Sequence, residues 1–199
     1  MTASARLLIV GPQGSGKGTQ GVRVAETFGI PVVSTGDIFR ANIKQGTDLG
    51  KKVTAILDAG DLVPDELTSE IVRDRLAQDD ASNGFLLDGY PRNTAQVAQL
   101  DAFLEERGES LDAVILLDVP REESLERLRL RAIEQGRSDD TDEAIAHRLD
   151  IYEHETSPII EIYQERGIVD RIDGVGSLDE ITERISTALN ARGVGQQLV

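Results

Sequence analysis

A glycine-rich stretch near the amino terminus carries the residue types that bind phosphate groups. Residues 11–19 read GPQGSGKGT and follow the apolar run LLIV. They nearly match the pattern G-x-x-x-x-G-K-[ST], in which backbone N–H groups and a lysine hold the phosphates of a nucleotide. Because a strand, a loop and a helix are predicted in this order, we expect a phosphate-binding loop with Lys17 at the β and γ oxygens. The alternative is a tight strand–helix turn that binds no ligand.

One position of this loop departs from the pattern and raises the question of how a metal is held. Gly18 stands where the pattern has a hydroxyl, and Thr19 comes one residue later. Magnesium keeps several waters and takes few protein ligands. Asp88 ends the apolar run GFLLD, as does the acidic residue that closes a strand beside such a loop. We predict that Asp88 holds Mg²⁺ through water and that Thr19 reaches a phosphate or a metal-bound water. A helix or turn cap is the alternative for Asp88.

Apolar runs rich in β-branched residues alternate with helical segments and predict the elements that position these residues. The predicted strands are 6–10, 31–34, 84–88, 113–119 and 168–172. Helices are predicted over 17–28, over 35–76 with a break at Pro64, over 93–107, over 122–134, from 142 with an interruption at Pro158, and from Ser177, which forms a capping box with Glu180. Strands that alternate with helices indicate an α/β fold with a parallel sheet covered on both faces.

The composition restricts the size class and the partners of the protein. The 199 residues fit a single domain, 1–199, with a net charge of −15, 39% hydrophobic residues and no cysteine. Such an acidic chain is not expected to bind nucleic acid, which requires a basic surface. No apolar stretch reaches the ~20 residues of a membrane helix, and the lack of cysteine favours a reducing cytoplasm. An acidic protein that binds anionic ligands must gather its cations locally.

One segment concentrates such cations. Residues 127–142 read RLRLRAIEQGRSDDTD and contain four arginines. This composition is consistent with a flap that grips phosphate groups and also with a solvated surface loop.

Four motifs in this order, GPQGSGKGT, STGDIFR, DGYPR and GRSDD, make the sequence resemble the short-lid adenylate kinases, a group of nucleoside monophosphate kinases. The resemblance covers residues 6–190. It implies the reaction ATP + AMP ⇌ 2 ADP, Mg²⁺ bound with ATP, and a monomer. It also implies a three-layer fold of the P-loop NTPase type with a five-stranded parallel sheet, a helical monophosphate-binding lobe at 34–63 and a short lid at 130–140. No structural zinc is expected, because the cysteines of longer lids are missing.

The resemblance also implies a set of site residues. Those implied to bind ATP are Gly14, Ser15, Gly16, Lys17, Gly18, Thr19, Arg131 and Gly176. Those implied to bind AMP are Thr35, Arg40, Asp61, Leu62, Val63, Gly89, Tyr90, Pro91, Arg92, Gln96, Arg137 and Arg148. Catalytic roles are implied for Lys17, Arg92, Arg131, Arg137 and Arg148. Gln96 is implied to read the adenine of AMP, and the pair Asp139 and Asp140 to orient the arginines. Arg127 or Arg129 is the alternative to Arg131 at the lid hinge.

The sequence offers no clear general base, and this absence favours a phosphate as acceptor. His147 and His154 carry no motif and are interpreted as surface or packing residues. An acceptor phosphate is already ionised and needs no base. The closest alternative is a P-loop kinase that phosphorylates an alcohol with Asp37 as base, although Asp37 begins a helix and fits a cap better. A nucleotide-binding regulator without activity is a second alternative. Because water must be excluded, we expect 34–63 and 127–142 to close over bound nucleotides.

Overall fold

The computed structural model describes residues 4–136 and 140–194, which form a five-stranded parallel sheet with helices on both faces. The strands are β1 (Ala5–Val10), β2 (Val32–Ser34), β3 (Gly84–Asp88), β4 (Ala113–Asp118) and β5 (Val169–Asp173). Their order is β2-β3-β1-β4-β5, and each neighbouring pair is parallel. The predicted α/β fold with a five-stranded parallel sheet is confirmed.

The central strands are apolar along their whole length because both faces of the sheet are covered. Alternate side chains of a strand point to opposite faces. In β1, Leu8 and Val10 pack into one core with α-helical residues such as Tyr163, while Leu7 and Ile9 pack into the other with residues such as Ile185. Continuous apolar runs of this kind are typical of parallel strands buried on both sides. The second and third layers of the fold are therefore helical.

Among the described residues, one α-helix follows each of β1, β3 and β5, and three follow each of β2 and β4. They are α1 (Lys17–Phe28), α2 (Thr35–Gln45), α3 (Asp48–Ala59), α4 (Asp65–Leu76), α5 (Thr94–Glu106), α6 (Arg121–Gln135), α7 (Asp142–Ile151), α8 (Ser157–Glu165) and α9 (Leu178–Arg192). The predicted capping box is present at α9, where the Ser177 hydroxyl accepts from the Glu180 N–H and the Glu180 carboxylate accepts from the Ser177 N–H. No helix of residues 4–136 and 140–194 is long and apolar enough to cross a membrane.

Two predicted helix boundaries were wrong. The segment 35–76 contains a break that was missed, at Gly46, which ends α2 in the left-handed region with φ 66°. Thr47 then caps α3 by accepting a hydrogen bond from the Gly50 N–H. The interruption assigned to Pro158 takes another form: the chain stays helical through a π-helical turn at Tyr152–Thr156, and Pro158 lies in the first turn of α8. Proline is tolerated there because the first N–H groups of a helix have no partner within the helix.

Helices α2 and α3 form a small unit with its own apolar core beside the sheet. Phe39, Val53 and Val63 are its buried centre, and none of them belongs to the two cores that flank the sheet. The unit spans the predicted lobe at 34–63. Among its contacts with the rest of the protein are two with α7: Arg148 Nη2 donates to the Leu57 carbonyl at 2.9 Å, and the Asp61 carboxylate lies 2.6 Å from His147 Nε2.

Candidate active site

The glycine-rich loop joins β1 to α1 and curls around the ammonium group of Lys17. Lys17 Nζ donates to the carbonyls of Gly11 and Pro12 at 2.9 and 3.0 Å. Gly16 precedes the helix with φ 92° and contributes no side-chain cap, so the first N–H groups of α1 stay available for an anion. Positive φ at this position favours glycine. The hydroxyl of Ser15 is buried and has no hydrogen-bond partner within the described part of the chain.

The position of Lys17 changes its acidity. Burial lowers the pKa of the ammonium group from 10.5 to about 8; Asp88 partly opposes this shift, and Arg92 and Arg131 lower the pKa further. A buried cation of this kind gains much from an anionic ligand, because the ligand replaces the lost hydration.

Binding of a nucleoside triphosphate should therefore weaken as the pH rises above about 8. Phosphate oxygens favour the charged lysine, so the complex has a higher Lys17 pKa than the free protein, and binding takes up a proton between the two values. In that window Kd rises by up to about tenfold per pH unit. Calorimetric titrations in buffers of different ionisation enthalpy, above about pH 8 where the triphosphate itself is fully ionised, measure the uptake. Unchanged proton uptake in Lys17→Met would contradict this assignment.

Asp88 lies next to this loop at the end of the neighbouring strand, where it pairs in register with Ile9. Its side chain is mostly buried and makes no hydrogen bond within residues 4–136 and 140–194. A Cβ atom built on Gly18 would lie 3.9 Å from Asp88 Oδ2, so the missing side chain leaves room between the loop and the carboxylate. No group of three or more potential ligands exists among the described residues. The carboxylate of Asp88 beside the loop fits a Mg²⁺ that is held mainly by nucleotide phosphates and water.

A second set of side chains surrounds the loop that follows β3. Gly89 has φ 84°, and its carbonyl accepts from Thr35 Oγ1 at 3.0 Å and from Arg92 Nε at 2.8 Å. A Cβ atom at Gly89 would lie only 2.8 Å from Thr35 Oγ1, so the close approach of the start of α2 to this loop requires glycine. Burial lowers the pKa of Arg92 below its usual value. Lys17 and Arg92 both donate to main-chain carbonyls rather than to carboxylates.

A buried carboxylate holds two of the predicted arginines in fixed orientations. Asp140 accepts two hydrogen bonds from Arg131, from Nε and Nη2, both at 2.7 Å. Arg148 Nη1 donates to the same carboxylate at 3.0 Å. The Asp140 side chain has no exposed surface. Its ion pair with Arg148 is the most buried one among the described residues, and its pair with Arg131 is more exposed. A carboxylate shared by two planar guanidinium groups fixes the orientation of both.

The amide of Gln96 is fixed on both sides. Its oxygen accepts from the backbone N–H of Arg92 at 2.7 Å, and its nitrogen donates to Asp65 Oδ1 at 2.8 Å. Gln96 also donates its backbone N–H to the side chain of Asn93, which caps α5. An amide has two N–H groups and two lone pairs. One of each therefore remains for a ligand.

These groups line one cleft of about 800 Å³ at the carboxyl ends of the strands. Parallel α/β sheets bind ligands at this edge. The cleft brings together most of the predicted residues: Gly14, Ser15, Gly16, Lys17, Gly18, Thr19, Thr35, Arg40, Asp61, Leu62, Val63, Asp88, Gly89, Arg92, Gln96, Arg131, Arg148 and Gly176. Six of its described lining residues are cations and five are carboxylates, so the balance is slightly positive in a chain with a net charge of −15. Cations are therefore gathered at the cleft, as the sequence analysis expects of an acidic protein that binds anionic ligands.

Some predicted residues lie elsewhere. Tyr90 does not line the cleft; its ring is in the core, and its hydroxyl hydrogen-bonds to Ser69 at 2.7 Å. Pro91 lines only a small adjoining cavity. The predictions for Arg137 and Asp139 concern residues outside the described ranges. Asp37 was expected to act as a helix cap, which was wrong: Ser34 caps α2, and Asp37 pairs with Arg40 at 2.7 Å.

The structure distinguishes the three candidate hinge arginines. Arg131 and Arg127 line the cleft, whereas Arg129 is exposed and approaches Asp142 at 3.5 Å. Arg127 donates to the carbonyls of Ser15 and Gly174 and so joins the phosphate loop to the loop after β5. Sequence reasoning gave Arg127 only as an alternative. The signal that could have found it is its spacing of four from Glu123, with which it pairs at 2.8 Å.

Comparison with known proteins finds relatives over most of the chain. The family model described as adenylate kinase matches residues 9–168. A protein named adenylate kinase from Leifsonia xyli subsp. xyli is 59% identical over 94% of this chain and 94% of its own length. Proteins of the same name from Kocuria rhizophila and Thermobifida fusca are 56% and 54% identical, over 92% and 94% of this chain and 98% and 99% of their own lengths.

Proposed function

Since the chain belongs to the adenylate kinase family and transfers a phosphoryl group from ATP to AMP to give two ADP, we propose the following roles for its residues in this reaction. The triphosphate of ATP lies on the loop 11–19, with Lys17 at its β and γ oxygens. The donor base lies beside Gly176, and Arg131 grips the transferred group. The observation that carries this assignment is the cluster of six cations in one cleft of an acidic chain.

AMP occupies the part of the cleft that is lined by α2, by the segment before α4 and by the loop after β3. Arg40, Arg92 and Arg148 hold its phosphate, Thr35 and Gln96 lie at its base, and Asp61, Leu62 and Val63 line its ribose and base. Tyr90 and Pro91 are left out of the side-chain contacts because their side chains do not line the cleft. Arg137 is kept as a phosphate contact on the family pattern alone.

The reaction depends on charge neutralisation and alignment. ATP and AMP repel each other, and at about 4 Å and an effective dielectric near 20 each unlike charge pair contributes about 4 kcal/mol before desolvation. Lys17, Arg92, Arg131 and Arg148 offset this repulsion, and planar guanidinium groups fix the phosphates in line. Asp88 would hold Mg²⁺ through water, and the ion would neutralise phosphate charge. The pairing of Asp37 with Arg40 disfavours Asp37 as the base of an alcohol kinase.

In this proposal the segments 34–63 and 127–142 close over bound nucleotides. Arg148 donates to the Leu57 carbonyl and His147 contacts Asp61, so the lobe at 34–63 reaches α7 through a few polar contacts rather than through a shared core. Such contacts can break and form during turnover at a small cost in free energy. Closure excludes water, which would otherwise hydrolyse ATP.

The remaining proposals concern partners and compartment. A monomer is proposed on the family resemblance alone. The acidic net charge supports nucleotides rather than nucleic acids as partners, and the lack of cysteine supports the cytoplasm.

The acceptor is tested by measuring ADP formation from ATP and Mg²⁺ with AMP, CMP, UMP and GMP in turn. We expect kcat/KM for AMP to exceed the values for the other three by at least about a hundredfold, because a site that hydrogen-bonds a base edge rejects bases that leave its groups unpaired. Equal activity on CMP or UMP would refute the proposed role of Gln96 and Thr35. Transfer to an alcohol without any activity on AMP would refute the whole assignment.

A further inference from the structure

Asp65 lies behind the cleft, in the first turn of α4, and does not line the cleft itself. Its Oδ1 accepts hydrogen bonds from two amides at the start of α5: Asn93 Nδ2 at 2.9 Å and Gln96 Nε2 at 2.8 Å. Two negatively charged residues begin α4, and the helix dipole favours negative charge there. Asp65 therefore contacts a cleft residue without reaching a ligand.

The partners of Gln96 permit only one orientation of its amide. Oxygen and nitrogen of an amide have the same shape, so their placement depends on hydrogen bonding alone. The Arg92 N–H requires an acceptor at 2.7 Å, and the Asp65 carboxylate requires a donor at 2.8 Å. A flipped amide would face the carboxylate with its oxygen and the N–H with its own NH₂ group. Such a flip would replace two hydrogen bonds with two repulsive contacts.

This fixed orientation distinguishes purines by their substituent at position 6. Adenine presents an acceptor at N1 and a donor at N6, whereas a 6-oxopurine presents a donor at N1 and an acceptor at O6. An amide whose remaining N–H faces N1 and whose remaining lone pair faces N6 matches adenine. The same amide turned over matches a 6-oxopurine in the same ring position. Whatever prevents the flip therefore determines which of the two bases is accepted.

We propose that Asp65 is a positioning residue for acceptor specificity, which fixes the amide of Gln96 in the orientation that accepts a 6-aminopurine and rejects a 6-oxopurine. This inference rests on the proposed function, in which Gln96 reads the base of the acceptor. Asp65 contributes to specificity only through Gln96. Asn93 supports the arrangement by donating to the same carboxylate oxygen and by capping the helix that carries Gln96.

The test compares AMP with inosine 5′-monophosphate (IMP), which differs from it at N1 and position 6 only. In Asp65→Asn the residue at 65 can either donate or accept, so a flipped Gln96 meets one repulsive contact, with the Arg92 N–H, instead of two. We expect the ratio of kcat/KM for AMP to that for IMP to fall by about tenfold or more, the effect of one charge-assisted hydrogen bond. Glu66→Gln removes the same charge from the exposed neighbouring position on the same helical turn and should leave the ratio unchanged.

A double-mutant cycle separates positioning from a general structural effect. If Asp65 acts through Gln96, Asp65→Asn has no further effect on the ratio in a Gln96→Ala background. An unchanged ratio in Asp65→Asn, or an equal fall in both backgrounds, overturns the inference. If Asp65→Asn does not fold, Asp65→Ser, whose hydroxyl also donates or accepts, makes the same comparison. Absence of activity on AMP in the unaltered protein would instead refute the proposed function.

Discussion

Replacement of Lys17 by methionine is expected to lower kcat by about a thousandfold or more. Methionine keeps most of the side-chain volume but removes the only lysine in the described part of the cleft. The ammonium group lies inside the loop 11–19, where burial strengthens its interaction with the transferred phosphate. Loss of one preorganised donor to developing charge costs about 10²–10³ in kcat, and phosphoryl transfer depends on such groups more than most reactions.

The measurement is the steady-state rate of ADP formation together with the melting temperature of each variant. Lys44→Met is the matched control, because Lys44 is exposed in the last turn of α2 and lies outside the cleft. The control should keep its turnover. Full turnover in a folded Lys17→Met protein that still binds ATP would exclude the assigned role of this lysine.

Replacement of Asp140 by asparagine is expected to reduce both activity and stability. The carboxylate is fully buried and neutralises Arg131 and Arg148 at once. Removal of one partner from a buried ion pair costs about 3–5 kcal/mol in folding free energy, and here two guanidinium groups lose the carboxylate that balances their charge. Both guanidinium groups would also lose their fixed orientation. A displacement of about 1 Å in a catalytic group can lower the rate about a hundredfold, and we expect a loss of that size in kcat.

Chemical denaturation and steady-state kinetics on the same preparation test this expectation. Asp142→Asn serves as the control: Asp142 is exposed, and its contact with Arg129 is 3.5 Å long. Exposed ion pairs contribute about 0–1 kcal/mol, so this variant should resemble the unaltered protein in both measurements. If Asp140→Asn were destabilised but kept its kcat in the folded fraction, Asp140 would serve folding and not the alignment of the arginines.

The sheet could be predicted because its signals are local. Each central strand is a short apolar run, and the helix that follows the first of them begins at Lys17 as predicted. The π-helical turn before Pro158 and the break at Gly46 could not be recognised in the same way. A glycine inside an otherwise helical pattern is compatible with both a continued helix and a stop. Which of the two occurs depends on the packing of α2 against α3, which the sequence does not state.

The candidate site was predictable where its residues belong to one continuous motif and less so where they meet only in space. The loop around Lys17 and the position of Asp88 follow from neighbouring residues along the chain. The shared clamp at Asp140 and the contact between Asp65 and Gln96 join elements that are distant in sequence. Tyr90 illustrates the opposite case, because its place within a motif gave no sign that its ring belongs to the core.

The order of the strands separates recognition from chemistry. Lys17 follows β1, and Asp88 ends β3 with Arg92 after it; both strands lie inside the sheet. Thr35 follows β2 and Gly176 follows β5, which form the two borders of the sheet. In the proposed assignment, Thr35 and Gly176 thus lie beside the two nucleobases at opposite borders, Gln96 reaches the acceptor base from α5, and the phosphates lie in the middle. Mutations of residues that contact a base can then change which nucleotide is accepted, while Lys17, Asp88 and Arg92 stay unchanged. This arrangement would let a single ancestral scaffold diversify its substrates without first losing its reaction.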